Sequence, residues 1–359
     1  MAYRLQVDES LSDGVRRIAH EIVAEALELL DEPGTDDVED AVHEVRKNCK
    51  KLRGLVRLVR PAMGEAYQEA NATFRDAARE LSSIRDAHAL LATFDDLVAA
   101  HTSQVSGGAV TGVRAGLAQR AQAASARVTD DDKRIVRARA LLLDGREQIN
   151  RWPLSDDVDV IAAGVEKTYK RGRRGWRDNI FDPTDEKLHE WRKRVKYTWY
   201  HLRLLRDAAP SVLKPLVGRF HDLSDVLGDD HDLAVLTAQL HDDPAAFGGD
   251  AEVRRALELI TACRADLQQR ARSLGSRLYV EPREAFSGRL ASYWTTWREH
   301  GDELVAGEIA DLTPPDDDLD ERSVRELYAI ARQLDLDGRS SMDRDDLIAS
   351  IRAAGWTEP

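Results

Sequence analysis

Two short runs concentrate groups that can hold an anion. His43-Glu44-Val45-Arg46-Lys47-Asn48-Cys49-Lys50 and His189-Glu190-Trp191-Arg192-Lys193-Arg194-Val195-Lys196 share the pattern H-E-x-R-K-x-x-K. With the two histidines aligned, Arg57 also matches Arg203, Leu58 matches Leu204 and Arg60 matches Arg206, so eight of eighteen positions agree. A guanidinium offers forked donors to an oxyanion, and an ammonium offers compact charge. A second pair follows the first, Asp86-Ala87-His88 after one copy and Asp229-Asp230-His231 after the other. The chain therefore repeats itself with a period near 145 residues, which predicts two similar halves with pseudo-twofold architecture.

The spacing sets these groups on helix faces. In the first copy an apolar line runs Val42, Val45, Cys49, Leu52, Val56, Val59, and beside it run His43, Arg46, Lys50, Arg53, Arg57 and Arg60. Steps of three and four make that a single stripe, roughly 25 Å long at a helical rise of about 1.5 Å per residue. In the second copy His189, Arg192, Lys193, Lys196, Arg203 and Arg206 accompany Leu188, Trp191, Val195, Leu202 and Leu205. A third basic run places Lys167, Lys170, Arg171 and Arg174 on one face.

The chain of 359 residues has 52 basic and 65 acidic groups and a net charge of −13, a total that argues against a polyanion ligand. Its distribution argues the other way. Residues 43–60, 167–177 and 187–206 hold 20 Lys/Arg and 2 acids, a net +18, which leaves −31 for the remainder. Like charges at i,i+4 repel by a few tenths of a kcal/mol per pair, and a merely solvated helix interleaves Glu with Lys. Stripes without acids predict an extended polyanion, bound through counterion release.

Other readings use the same residues. His43, Glu44, Asp86, His88, His231 and Asp232 could serve a metal-dependent phosphohydrolase, but no tight pair such as H-E-x-x-H lies on one helix face. Trp191, Tyr197, Trp199 and Tyr200 could stack on bases of RNA or DNA, although Trp191 falls on the apolar line. His43 and His189, beside the basic stripe, read either as ligand contacts or orienters of the stripe or as structural hydrogen-bonders. His88 and His231 read as structural, at helix starts capped by Ser83-Ile84-Arg85-Asp86 and Asp229-Asp230-His231-Asp232, with Gly228 closing the preceding helix. No catalytic residue, metal site or cofactor is expected.

The elements that must position these groups are helices. Leu, Ala, Arg and Glu dominate, apolar residues recur at three and four, and no alternating strand stands out, so the fold class is all-α. Helices are predicted over, among others, 38–59, 84–100, 158–176, 185–206, 211–227 and 230–240. Cys49 and Cys263 suggest no disulfide, no signal peptide or membrane span is evident, and the cytoplasm is the expected location. A Pro- and Asp-rich stretch, Leu312 to Asp320, reads as a linker. The predicted organisation is a domain over 1–300 with halves of about 1–150 and 151–300, a linker over 301–320, and a module over 321–359.

At these motifs the chain resembles the CHAD domain, the conserved-histidine α-helical family. The carrying residues are the two H-E-x-R-K-x-x-K copies, Ile84-Arg85-Asp86-Ala87-His88, Asp229-Asp230-His231-Asp232-Leu233 and Tyr169-Lys170-Arg171-Gly172-Arg173-Arg174. The resemblance covers about residues 10–300. It implies two four-helix bundles related by pseudo-symmetry, basic helices lining a central pore or groove, and binding of long-chain inorganic polyphosphate with association with polyphosphate granules. It implies contacts from His43, Arg46, Lys47, Lys50, Arg53, Arg57 and Arg85 in the first half. In the second half it implies His189, Arg192, Lys193, Lys196 and Arg203, with Lys170, Arg171 and Arg174 alongside. Gly228 stands where the second half would repeat Arg85. The E-x-E-x-K signature of the triphosphate-tunnel domain that accompanies some relatives is absent. Ser323 to Ala354 resembles the small N-terminal domain of the terminator Rho and SAP-like modules, through Val324, Leu327, Ala331, Gly338-Arg339-Ser340 and Asp346-Leu347-Ile348. That resemblance implies nucleic-acid or protein contact, against a net charge of −6 over residues 316–359.

Overall fold

The structure, a computed structural model, describes residues 3–31, 38–101, 110–125, 133–301, 319–334, 336, 342–354 and 356, with the backbone alone at 39, 83–87, 125, 321, 325, 332 and 333. Of the expected linker, residues 302–318 lie outside this description, as do Gly338-Arg339-Ser340 and the side chain of Arg85. Among the described residues the fold is all-α, without a strand. The first half comprises α1 (Leu11–Asp31), α2 (Val38–Leu58), the single turn α3 (Arg60–Met63), α4 (Ala66–Glu80), α5 (Ser82–Ala100), α6 (Thr111–Ser125) and α7 (Lys133–Ile149). The second comprises α8 (Val158–Phe181), α9 (Asp185–Leu205), α10 (Pro210–Asp242), α11 (Asp250–Leu278) and α12 (Arg283–His300). Two short helices follow, α13 (Val324–Gln333) and α14 (Arg344–Ala353).

Helices α1, α2, α4 and α7 pack on one another, and α8 to α12 form a second group, with the α5–α6 pair laid against α10 and α11. One continuous apolar core, from Tyr3 to Trp297, runs through both groups. A second, separate core of Leu319, Leu327, Ile330, Leu347, Ile348 and Ile351 joins α13 to α14.

Local chemistry explains the helix starts next to the basic runs. Asp157 caps α8 by accepting from the Asp159 N–H at 2.9 Å, and Thr184 caps α9 by accepting from the Lys187 N–H at 3.3 Å. The expected break at Gly228 does not occur. Helix α10 runs unbroken for 33 residues, so Asp229–Asp232 caps nothing. Gly228 remains helical and faces the Arg192 guanidinium, whose Nε would stand in ordinary contact, 3.5 Å, with an added Cβ. Asp230 is buried and accepts from Arg264 Nε at 3.0 Å and Gln268 Nε2 at 2.9 Å, which ties α10 to α11. Helix α8 also extends past Trp176 to Phe181. Helix α5 begins at Ser82, after Leu81, with no side-chain cap at Leu81.

Two glycines set the approach of the basic helices. A Cβ on Gly54 of α2 would stand 2.8 Å from the Cβ of Tyr200 on α9. Gly54 and Tyr200 hold the same place in the two sequence copies, so equivalent positions meet at this crossing. A Cβ on Gly164 of α8 would stand 1.9 Å from the Leu58 carbonyl oxygen at the end of α2. That atom is backbone and cannot swing aside. Gly164→Ala is expected to destabilise the fold by roughly 2–4 kcal/mol, read as a lowered urea midpoint; an unchanged midpoint would show that α8 and α2 are not in backbone contact.

Candidate anion-binding tract

Helix α2 is almost wholly interior. Between His43 and Arg60, the residues that are not buried are His43, Glu44, Arg46, Lys47, Lys50, Arg53, Arg57 and Arg60. Solvent thus reaches a line of cations, His43 and one carboxylate, while Val45, Cys49, Leu52, Leu55 and Val56 are in the core. Burial pushes the Cys49 thiol up to about 12, against the nearby charges of Arg53, Lys50 and Arg46, so it stays a protonated core group.

The line is held in place by local bonds. Arg46 Nη1 donates to the Ser82 carbonyl at 3.1 Å, and Arg53 Nε donates to Asn71 Oδ1 at 3.4 Å. Arg57 Nη1 donates to the Arg53 carbonyl at 2.7 Å, and its guanidinium lies 3.9 Å from the centre of the Tyr197 ring. Lys47 Nζ is 3.3 Å from Glu44.

At its C-terminal end the line opens into a recess of about 280 Å³, open mouth included. Arg57 and Arg60 form one wall, Lys167 and Arg171 of α8 and Arg194 of α9 the other, with Tyr67, Thr168 and Tyr197 between them. Among the described residues no carboxylate is in its lining, but Glu190 stands behind it, 3.0 Å from Arg194, and acts on Arg171. Burial comes first in lowering Arg57, Lys167 and Arg171, and cationic neighbours add to it: Arg53 and Arg194 for Arg57, Arg60 and Arg171 for Lys167, Arg194 and Arg60 for Arg171. These groups gain from an anion that replaces the lost water and neutralises their repulsion.

Towards the other end, α9 brings Lys196 close to Lys47. Burial first, then Arg192 and Lys47, lowers Lys196 to about 8, against Asp225 and Glu326. Arg192 lies over Gly228, and Lys193 is paired with Glu190 at 2.5 Å. The rings of His189 and His231 are in tilted contact, with centroids 4.3 Å apart and planes at 34°. Burial, then His231, Lys193 and Arg192, brings His189 down to about 4; burial and Arg192 lower His231 as well.

The remaining expected residues divide. Lys170, Arg171 and Arg174 are exposed on α8, with Arg174 3.6 Å from Asp178. Arg203 is not on the stripe: only 1% exposed, it sits among aromatic rings, 4.7 Å from the centre of Trp199 and 5.0 Å from that of Tyr3. The copies diverge in sequence here, since Tyr197, Trp199 and Tyr200 replace Lys51, Arg53 and Gly54, and these aromatics draw the second half of α9 into the core. His88 has a structural partner, the Ala121 carbonyl 3.1 Å from Nε2. His43 and Glu44 stand not with His88 or His231 but with Glu326: one ligand atom from each of the three lies within 4.8 Å of the others. Arg60, Lys167 and Arg194 complete the recess. The first two were legible as members of basic runs, whereas Arg194 lies off the expected stripe and only its basic neighbourhood marked it.

The tract thus lies along α2 in an all-α body of two packed helix groups. The CHAD domain model matches residues 18–241, and the chain belongs to that family. The model of the Rho termination factor N-terminal domain matches residues 318–355. The crystal structure of the CHAD domain from the plant Ricinus communis is similar to 82% of this chain and 95% of its own, with a TM-score of 0.46 and 16% identity. No curated protein matches the chain. Among the described residues no helix is long and apolar enough to cross a membrane.

The depressed histidine sets a sign for pH dependence. Below about pH 6.5 the unfolded chain takes up a proton at His189 that the folded protein refuses until about pH 4, so stability is full above pH 6.5 and falls as pH drops through that window. The urea midpoint is expected to fall between pH 6.5 and 4.5, less steeply in His189→Gln; equal slopes would assign the effect elsewhere.

Proposed function

We propose that the protein is a non-catalytic binder of long-chain inorganic polyphosphate, and that the tract along α2 and its recess hold the chain. The carrying observation is the line of solvent-facing residues between His43 and Arg60, all basic or histidine except Glu44, on a helix otherwise inside the core. Membership of the CHAD family, which is associated with polyphosphate, supports the reading. So does the burial of Trp191, Trp199 and Tyr200, while Tyr197, which lines the recess, already has the Arg57 guanidinium over its ring. The ligand that fits is a chain of closely spaced charges without bases. We read the two copies as related by a pseudo-twofold axis near the Gly54–Tyr200 crossing. Residence in the cytoplasm on polyphosphate granules follows from the ligand, and the C-terminal module is the region for nucleic-acid or protein contact.

Titration of the full chain with long-chain polyphosphate, RNA and DNA at two salt concentrations tests this. Polyphosphate is expected to bind tightest, with an affinity that falls steeply with salt; equal affinity for all three refutes the specificity. Exchanging Lys167 and Arg171 for Glu, both on the exposed face of α8, should weaken polyphosphate roughly tenfold or more with helical content retained. Undiminished binding would place the ligand elsewhere. Because Lys196 titrates near pH 8, affinity should decline between pH 7 and pH 9 as its charge is lost, and Lys196→Arg should remove most of that decline. Release of phosphate from the polymer with Mg²⁺, Mn²⁺ or Zn²⁺ would overturn the non-catalytic reading.

A further inference from the structure

The C-terminal helices meet the tract. Ser323 and Glu326 close a capping box at the start of α13: Glu326 accepts from the Ser323 N–H at 2.7 Å and hydroxyl at 2.8 Å, and the Glu326 N–H donates to Ser323 Oγ at 3.2 Å. The same carboxylate reaches α2, within 4.8 Å of ligand atoms of both His43 and Glu44. Burial alone would raise Glu326, but Lys47, the Ser323 hydrogen bonds and His43 outweigh it and hold the carboxyl down to about 2. Lys196 of α9 is held towards its charged form by this group. On the adjoining helix the polarity reverses. Asp222 of α10, raised by burial, is opposed by the charge of Arg344 on α14, and Arg344 Nη2 also donates to the Asp320 carbonyl at 2.7 Å. An acid of the module meets bases of the tract, and a base of the module meets an acid of α10. The group His43, Glu44 and Glu326 has ligands for a cation, but Lys47 already supplies one 3.3 Å from Glu44.

We propose that the C-terminal module is an internal occupant of the tract: Glu326 docks against His43, Lys47 and Lys196, and a polyanion must displace it to run the full length of α2. This rests on the polyphosphate reading of the tract. One carboxylate does not neutralise the line, so it lowers affinity without closing the site. The contact is intramolecular, so its competition does not weaken on dilution. Linkage is reciprocal: polyphosphate that displaces Glu326 also frees the face of the module docked on the tract for another partner.

Two measurements on the full chain test this. Glu326→Gln removes the charge but keeps the capping box, since Gln serves in it as well as Glu; the variant should bind long-chain polyphosphate roughly fivefold tighter at low salt. Carbodiimide coupling followed by peptide mass analysis should join Glu326 to Lys47 or Lys196 in the wild type, and saturating polyphosphate should suppress that link. Equal affinities, or a link that survives with polyphosphate bound, overturn the proposal. Failure of the docking alone leaves tight, equal binding by both proteins and no link. Failure of the polyphosphate reading leaves the link intact and neither protein binding the polymer, which removes the competition too.

Discussion

Like charges set side by side on a nearly buried helix repel, and the fold depends on an interaction that holds them there. That interaction is the crossing of α2 and α9 at Gly54 and Tyr200, where the missing Cβ lets an aromatic side chain close on the opposing backbone. His201 reinforces it, with Nε2 3.2 Å from the Gly54 carbonyl. The cations then occupy the margin between the helix groups, where water is reduced but not absent. Packing of Val45, Cys49, Leu52 and Val56 in the core outweighs the few tenths of a kcal/mol lost at each repelling pair.

The same crossing makes the halves unequal. Around Gly54 α2 keeps a continuous basic line, whereas α9 turns aromatic after Lys196 and its Arg203 becomes an interior cation packed on rings. The two copies therefore do different work: α2 supplies length, and α9 supplies Lys196 at one side and Arg194 at the recess. Gly228 belongs to the same asymmetry: it stands beside the Arg192 guanidinium where the first copy has Arg85.

Charge distribution rather than net charge organises the molecule. Seven Arg/Lys side chains and one acid over residues 43–60 sit within a chain of net charge −13. Under the proposed function, the acidic remainder disfavours polyanions on the other surfaces. It also makes the protein's own acidic module a natural neighbour for the tract, and Glu326 stands there at the start of a helix whose capping box orients its carboxylate.

All-α class, the basic line from His43 to Arg60 and the repeat were legible in the sequence, because helical periodicity and like-charge runs are local properties that side-chain types express directly. The contact of His88 with the Ala121 carbonyl was not legible, since the expected helix start beside it falls instead at Ser82. The unbroken course of α10 was not: glycine permits a helix end but does not require one, and tertiary bonds from Arg264 and Gln268 to Asp230 decided for continuity. Nor was the burial of Arg203, which matches Arg57 in spacing and differs only in what packs around it. The recess joining Arg57, Arg60, Lys167, Arg171 and Arg194, and the approach of Glu326 to His43, bring together residues more than a hundred positions apart. By itself the sequence determined which helices are charged and on which face. Only the tertiary structure decided which of those charges share a site, because their convergence depends on how closely helices cross.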